Sequence, residues 1–118
     1  MKKTDKKREN ALREALTKVC DQMLGEVAGF VWLTHLVDFN RFPQSVKIVC
    51  VFERDENLEK ALAEGQDARF YQAIDEQFKL ANVGIKNSRP YVSFDTEEAC
   101  ERCQQGNWNQ RFKRLSLH

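Results

Sequence analysis

The stretch that decides the fold is Phe30-Val31-Trp32-Leu33-Thr34-His35-Leu36-Val37-Asp38-Phe39, followed by Asn40-Arg41-Phe42-Pro43-Gln44 and then Val46-Lys47-Ile48-Val49-Cys50-Val51-Phe52. Both outer runs are rich in β-branched and aromatic residues, the types that suit a pleated surface. Between them, Pro43 cannot donate to a strand ladder and holds Phe42 in extended geometry, so 40–44 is a turn. So short a link requires an antiparallel hairpin. Period-two alternation puts Phe30, Trp32 and Leu36 on one face of the first strand and Val31, Leu33, Val37 and Phe39 on the other. In the second strand Val46, Ile48, Cys50 and Phe52 point inward, and Lys47, Val49, Val51 and Glu53 outward.

Working outward, Leu12, Leu16, Val19 and Met23 recur at spacings of four, three and four, which predicts a helix from about Asp5 to Leu24 with one apolar stripe. Gly25 and Gly29 bracket its end. After the hairpin, Leu58, Ala61 and Leu62 begin a helix that Gly65 interrupts, and Phe70, Ile74, Phe78 and Ala81 resume the stripe beyond it. Tyr91–Phe94 reads as a third strand. Asp95, with Glu98 three residues on, reads as the cap of a last helix that Gly106 stops. The predicted fold is therefore α+β, in the order α-β-β-α-(kink)-α-β-α, with a three-stranded, mainly antiparallel sheet and its helices packed on one face. All 118 residues are expected to form a single domain. Its basic residues 1–8 are expected to fray, and its tail, 107–118, to pack on the sheet or on a partner.

Charge is divided along the chain although the net is only +1. Residues 1–18 hold seven Lys/Arg against three Asp/Glu, residues 19–106 nine against fifteen, and residues 107–118 three against none. Basic ends attract phosphate backbones, because each neutralised phosphate releases a counterion. Lys6, Lys7, Arg8, Arg13 and Lys18 on the first helix, with Arg111, Lys113 and Arg114 in the tail, are the candidate nucleic-acid-binding residues, and Trp108 and Phe112 are placed to stack on bases. A second candidate is a protein or homodimer interface: Trp32 and Leu36 lie on a sheet face the first helices do not reach, and Trp108 and Phe112 are the aromatics of the tail. A short basic start without an apolar h-region, and four cysteines outside any secretory context, predict a cytoplasmic protein with reduced thiols and no membrane partner.

Cys100-x-x-Cys103 is the one chemical motif. Cys100 lies about five residues past the presumed Asp95 cap, beyond most of the help a helix N-terminus gives a thiolate, and Glu97, Glu98 and Glu101 oppose it. As half of a zinc site the pair lacks a second pair, since Cys20, Cys50 and His35 are scattered over separate elements. The leading reading is a core-packed helix face, with a thiol or zinc site as the lesser one. His35 has no predicted orienting partner on its own face, because Asp38 is three residues away along the strand. P-loop, dinucleotide and His-rich motifs are absent. No catalytic residue, cofactor, small-molecule substrate or enzymatic activity is expected.

The run from Gly29 through Phe94, with Ala63-Glu64-Gly65 at the break between helices, resembles the KH-type domain of the ribosome-binding factor A family. That resemblance implies a KH-like fold and RNA or a ribosomal particle as partner. Across its length the chain also resembles a family of short bacterial proteins, through Trp32-Leu33-Thr34-His35, Phe42-Pro43-Gln44-Ser45, Phe94-Asp95-Thr96-Glu97-Glu98 and Gly106-Asn107-Trp108-Asn109-Gln110-Arg111-Phe112. Some members of that family carry a Fis-type transcriptional-regulator label. A Fis-like DNA binder ends in a helix-turn-helix, whereas the C-terminal segment here is short and follows a predicted strand. The GXXG loop with which KH domains clamp a nucleic-acid backbone is missing, and Glu59, Glu64 and Asp67 surround the break. Binding is therefore expected at the first helix and the tail.

Overall fold

The computed structural model describes residues 2–116; Met1 of the basic N-terminus and Leu117 and His118 of the tail lie outside the described residues. The chain forms α1 (Lys3–Glu26), β1 (Phe30–Leu36), a 3-10 turn (Phe39–Arg41), β2 (Lys47–Phe52), α2 (Asp55–Ala63) and α3 (Asp67–Leu80). A second 3-10 turn (Arg89–Tyr91) leads into β3 (Val92–Thr96), followed by α4 (Glu97–Gln104) and α5 (Trp108–Ser116). The stretch expected to fray is part of α1 from Lys3 onward.

The fold is α+β with a three-stranded open sheet in the order β1-β2-β3. The hairpin pairs β1 and β2 antiparallel, and β2 and β3 run parallel. Hence the sheet is mixed rather than mainly antiparallel. The reason is the crossover: β3 returns after two helices have carried the chain back along the sheet, as a parallel strand requires.

Alternation along β1 is broken once. Phe30 pairs with Phe52, but Trp32 pairs with Val51, so Val31 is an extra residue in a β-bulge. The bulge moves Phe30 to the core face while Trp32 stays on the opposite face, separating two residues that simple alternation puts together. Gly29 enters this turn at φ +86°, and a Cβ there would come within 2.5 Å of the Asn57 side chain.

On the core face, the α1 stripe Leu12, Leu16, Val19 and Met23 packs with Ile48, Cys50 and Phe52 of β2 and Phe70, Ile74 and Phe78 of α3. The inward set of β2 is the one read from the sequence. Gly65, at φ +71°, turns the chain between α2 and α3, so the expected kink is a full break between two helices. On the other face Val49 and Val51 are also fully buried. There α5 lies against the sheet, with Trp108 on Trp32 and Arg111 on Asp95. Helices therefore cover both faces, α1 to α3 on one and the C-terminal pair on the other, because a β2 strand apolar on both sides needs two covering layers.

The start of α4 shifts by one residue. Thr96, not Asp95, is the N-cap, its Oγ1 accepting from the Ala99 N–H at 3.0 Å while donating to Asp55 at 2.6 Å. That hydroxyl and the Arg102 guanidinium hold the Asp55 carboxyl below its usual range. Freed from capping, Asp95, the last residue but one of β3, has its carboxylate turned towards α5.

Candidate nucleic-acid interface

The two ends of the sheet carry opposite charge. At the hairpin end β1 stops while β2 and β3 begin, as shown by the pairings Leu36 with Lys47 and Ile48 with Val92. The start of α1 is held at this end: Glu9 lies 2.9 Å from His35 Nε2, and the Arg8 guanidinium lies 4.7 Å over the Phe42 ring. α3 begins beside the far end of α1, where Arg69 meets Glu26 at 3.9 Å, so its last turn and the connection to β3 also come to the hairpin end. Three segments thus meet there, 2–9, 37–47 and 79–91. They carry ten Lys/Arg against three Asp/Glu.

The opposite end is built from 21–29, 53–69 and 95–104, with four Lys/Arg against twelve Asp/Glu. Because exposed charges are screened over about 10 Å at 0.1 M salt, a polyanion at the hairpin end feels the basic pole far more than the acidic one across a molecule 40 Å long. Of the candidates read from the sequence, Lys6, Lys7 and Arg8 belong to this pole. Arg41, Lys47, Lys79, Lys86 and Arg89 join them and were not singled out, because each stands alone in the sequence. Only topology brings them together. Arg13 and Lys18 are exposed farther along α1.

The tail residues belong elsewhere. Arg111 forms a two-pronged ion pair with Asp95, its Nε and Nη2 donating at 2.6 and 2.8 Å, and its Nη1 donates to Gln104 Oε1 at 2.8 Å. Its guanidinium is therefore engaged within the fold, which corrects its reading as a phosphate contact. The Trp32 and Trp108 rings meet edge to face at 4.8 Å, and Phe112 lies 5.3 Å beyond Trp108. Both indole N–H groups donate to Glu97, Trp108 at 3.2 Å and Trp32 by a shorter bond. An acidic residue at the start of α4 thereby holds together aromatics from the first strand and the last helix. Trp32, Trp108 and Phe112 are half-buried against one another instead of forming an open stacking or partner surface, and with Val49 and Val51 buried the homodimer reading loses its premise. Leu36 sits apart, at the rim of the hairpin end. Lys113 and Arg114 are exposed on α5, across the sheet from α1.

The cysteine pair is split. Cys100 is fully buried, its thiol pushed up by desolvation against the lowering effect of Arg111, and Cys103 is exposed. The two sulfurs therefore do not share a core-packed face: positions three apart on a helix diverge by about 60°, enough to take Cys103 over the edge. Burial likewise raises the thiols of Cys50 and, less deeply placed, Cys20. With a thiol-specific disulfide reagent, we expect fast reaction at Cys103, slower reaction at Cys20, and protection of Cys50 and Cys100 until the fold opens; Cys103→Ser removes the fast phase. Equal rates at Cys100 and Cys103 would contradict this placement. Among the described residues no three His, Cys, Asp or Glu side chains come together to hold a metal ion, and no helix is long and apolar enough to cross a membrane.

No protein-family model, no curated protein and no solved structure matches this chain.

Proposed function

We propose that the protein is a non-enzymatic binding module that holds RNA, or a ribonucleoprotein such as a ribosomal particle, weakly and in a salt-sensitive way through its basic hairpin end. The observation that carries the reading is the gathering of ten Lys/Arg against three Asp/Glu on three chain segments at one end of the sheet. Such a pole attracts a polyanion and releases its counterions, with no requirement for a catalytic group. The GXXG loop of KH domains is not needed, since the cations stand on α1, the hairpin and the connection into β3. The tail takes a structural part in this reading, as the cover of the outer sheet face.

The test is the salt dependence of binding to a single-stranded RNA. Each phosphate contact contributes about 0.7 to the slope of log K against log salt, so changing Lys6, Lys7, Arg8 and Arg41 together to Gln is expected to make the slope shallower by about 3. The control variant Lys113→Gln with Arg114→Gln is expected to leave it unchanged. An unaltered slope and affinity in the fourfold variant, with its fold intact by circular dichroism, would overturn the proposal.

A further inference from the structure

At the hairpin end, beneath the turn that joins β1 and β2, lies an open cavity of about 560 Å³. Its size is within the range of small-molecule sites. Leu36 and Val37 supply its apolar surface, Arg41, Gln44 and Lys47 bring two cations and an amide to the same space, and Asp38 and Ser45 complete a lining that is polar for the larger part. Its frame is held by short-range bonds: Ser45 Oγ donates to the Asp38 carbonyl at 2.7 Å and accepts from the Asp38 N–H at 2.9 Å. Asp38 Oδ1 accepts the Asn40 N–H at 3.0 Å, which ties one oxygen of that carboxylate to the 3-10 turn while Asp38 still lines the cavity. Beside the frame Phe39 and Phe42 stack at 6.1 Å, with Arg8 over the Phe42 ring.

We infer that this cavity is a subsite for one unstacked nucleotide. Its base lies on the Leu36 and Val37 wall with the Gln44 amide at its hydrogen-bonding edge, and its phosphate lies between Arg41 and Lys47. Apolar surface beside two cations and one carboxylate suits a nucleotide better than a bare anion, because inorganic phosphate gains nothing from Leu36 and Val37 and is opposed by Asp38. A primary amide has both a donor and an acceptor, the equipment that reads a base edge. Bases paired in a duplex cannot enter, so the subsite selects single strands. The inference rests on the RNA reading above and narrows it to the substrate class and the place on the chain.

Two measurements test it with the full-length protein. In a titration of ¹⁵N-labelled protein, uridine 5′-monophosphate is expected to shift the Leu36 and Val37 backbone amides and the Gln44 side-chain amide, whereas inorganic phosphate does not move Leu36 and Val37. Arg41→Gln and Gln44→Ala, each with an unchanged spectrum elsewhere, are expected to weaken these shifts at least several-fold. Identical patterns from nucleotide and phosphate, or no shifts at the cavity, would overturn the subsite. In the second measurement a single-stranded oligonucleotide is expected to bind at least tenfold tighter than its duplex, with Gln44→Ala narrowing the ratio. Equal binding of strand and duplex, with a salt slope still set by Lys6 and Lys7, would remove the subsite and leave the basic-pole reading standing. Absence of oligonucleotide binding alongside cavity shifts from the mononucleotide would remove the polymer reading and leave the subsite.

Discussion

Phe70→Ala is expected to lower the stability of the protein by about 4 kcal/mol, within the range found when a buried aromatic side chain is truncated to Ala. Phe70 is fully buried on α3 where that helix meets the three strands. Its ring lies 5.1 Å from Phe30, 6.0 Å from Phe52 and 5.5 Å from Phe94, so one side chain ties α3 to all three strands. Rings at these separations contribute beyond the area they bury, and the surrounding backbone belongs to a sheet and a helix that cannot close around the space left behind. Domains of this size have stabilities of about 5–15 kcal/mol, so the loss is a large share of the total. Urea unfolding followed by circular dichroism measures it as a fall in the midpoint at nearly constant slope. A loss under about 1 kcal/mol would mean that this junction is not where the layers are joined.

The second large effect is expected at the C-terminal helix. Arg111→Met is expected to cost about 3 kcal/mol, because it leaves the Asp95 carboxyl without its ion-pair partner in a poorly solvated place. The two side chains are only 19% and 12% exposed. The same change strands Gln104, whose Oε1 accepts from Arg111 in a residue that is itself buried. Hydrogen bonding to Asp95 raises the Arg111 pKa, so the guanidinium stays charged throughout any accessible pH range. Combining Arg111→Met with Asp95→Leu is expected to recover part of the loss, since an apolar pair in the same place leaves no orphaned charge. Tryptophan emission follows the outcome directly: loosening α5 separates Trp108 from Trp32 and shifts emission to the red. A double variant less stable than either single one would show that the ion pair does not pin the helix.

The two variants bear on parts of the molecule that differed in how readable they were. The core face was legible because its period is strict: Leu12, Leu16, Val19 and Met23 in the helix, and Ile48, Cys50 and Phe52 in the strand, occupy the positions read for them. The order of elements as far as α4 was legible for a similar reason, since Pro43, Gly65 and Gly106 mark breaks that depend on local backbone restrictions, whereas the segment after Gly106, expected only as a packing tail, forms the helix α5. The bulge at Val31 was not, because an extra residue in a strand leaves no mark in a run that is apolar on both sides. The one-residue difference between Asp95 and Thr96 as cap was also hidden. Both are good capping types, and the choice depends on Arg111, which approaches from sixteen residues away.

By itself, then, the sequence determined an α+β chain with a hairpin after its first helix, the inward set of β2, and basic residues concentrated in its first helix and its tail. Those properties follow from local periodicity, turn chemistry and composition, which act within a few residues. Only the tertiary structure decided that the basic tail is spent partly on an internal ion pair while isolated cations from the hairpin and the connection into β3 join the start of α1. The physical reason is that charge acts through space: residues far apart along the chain form one field only when strand register and helix direction carry them to the same end of the sheet.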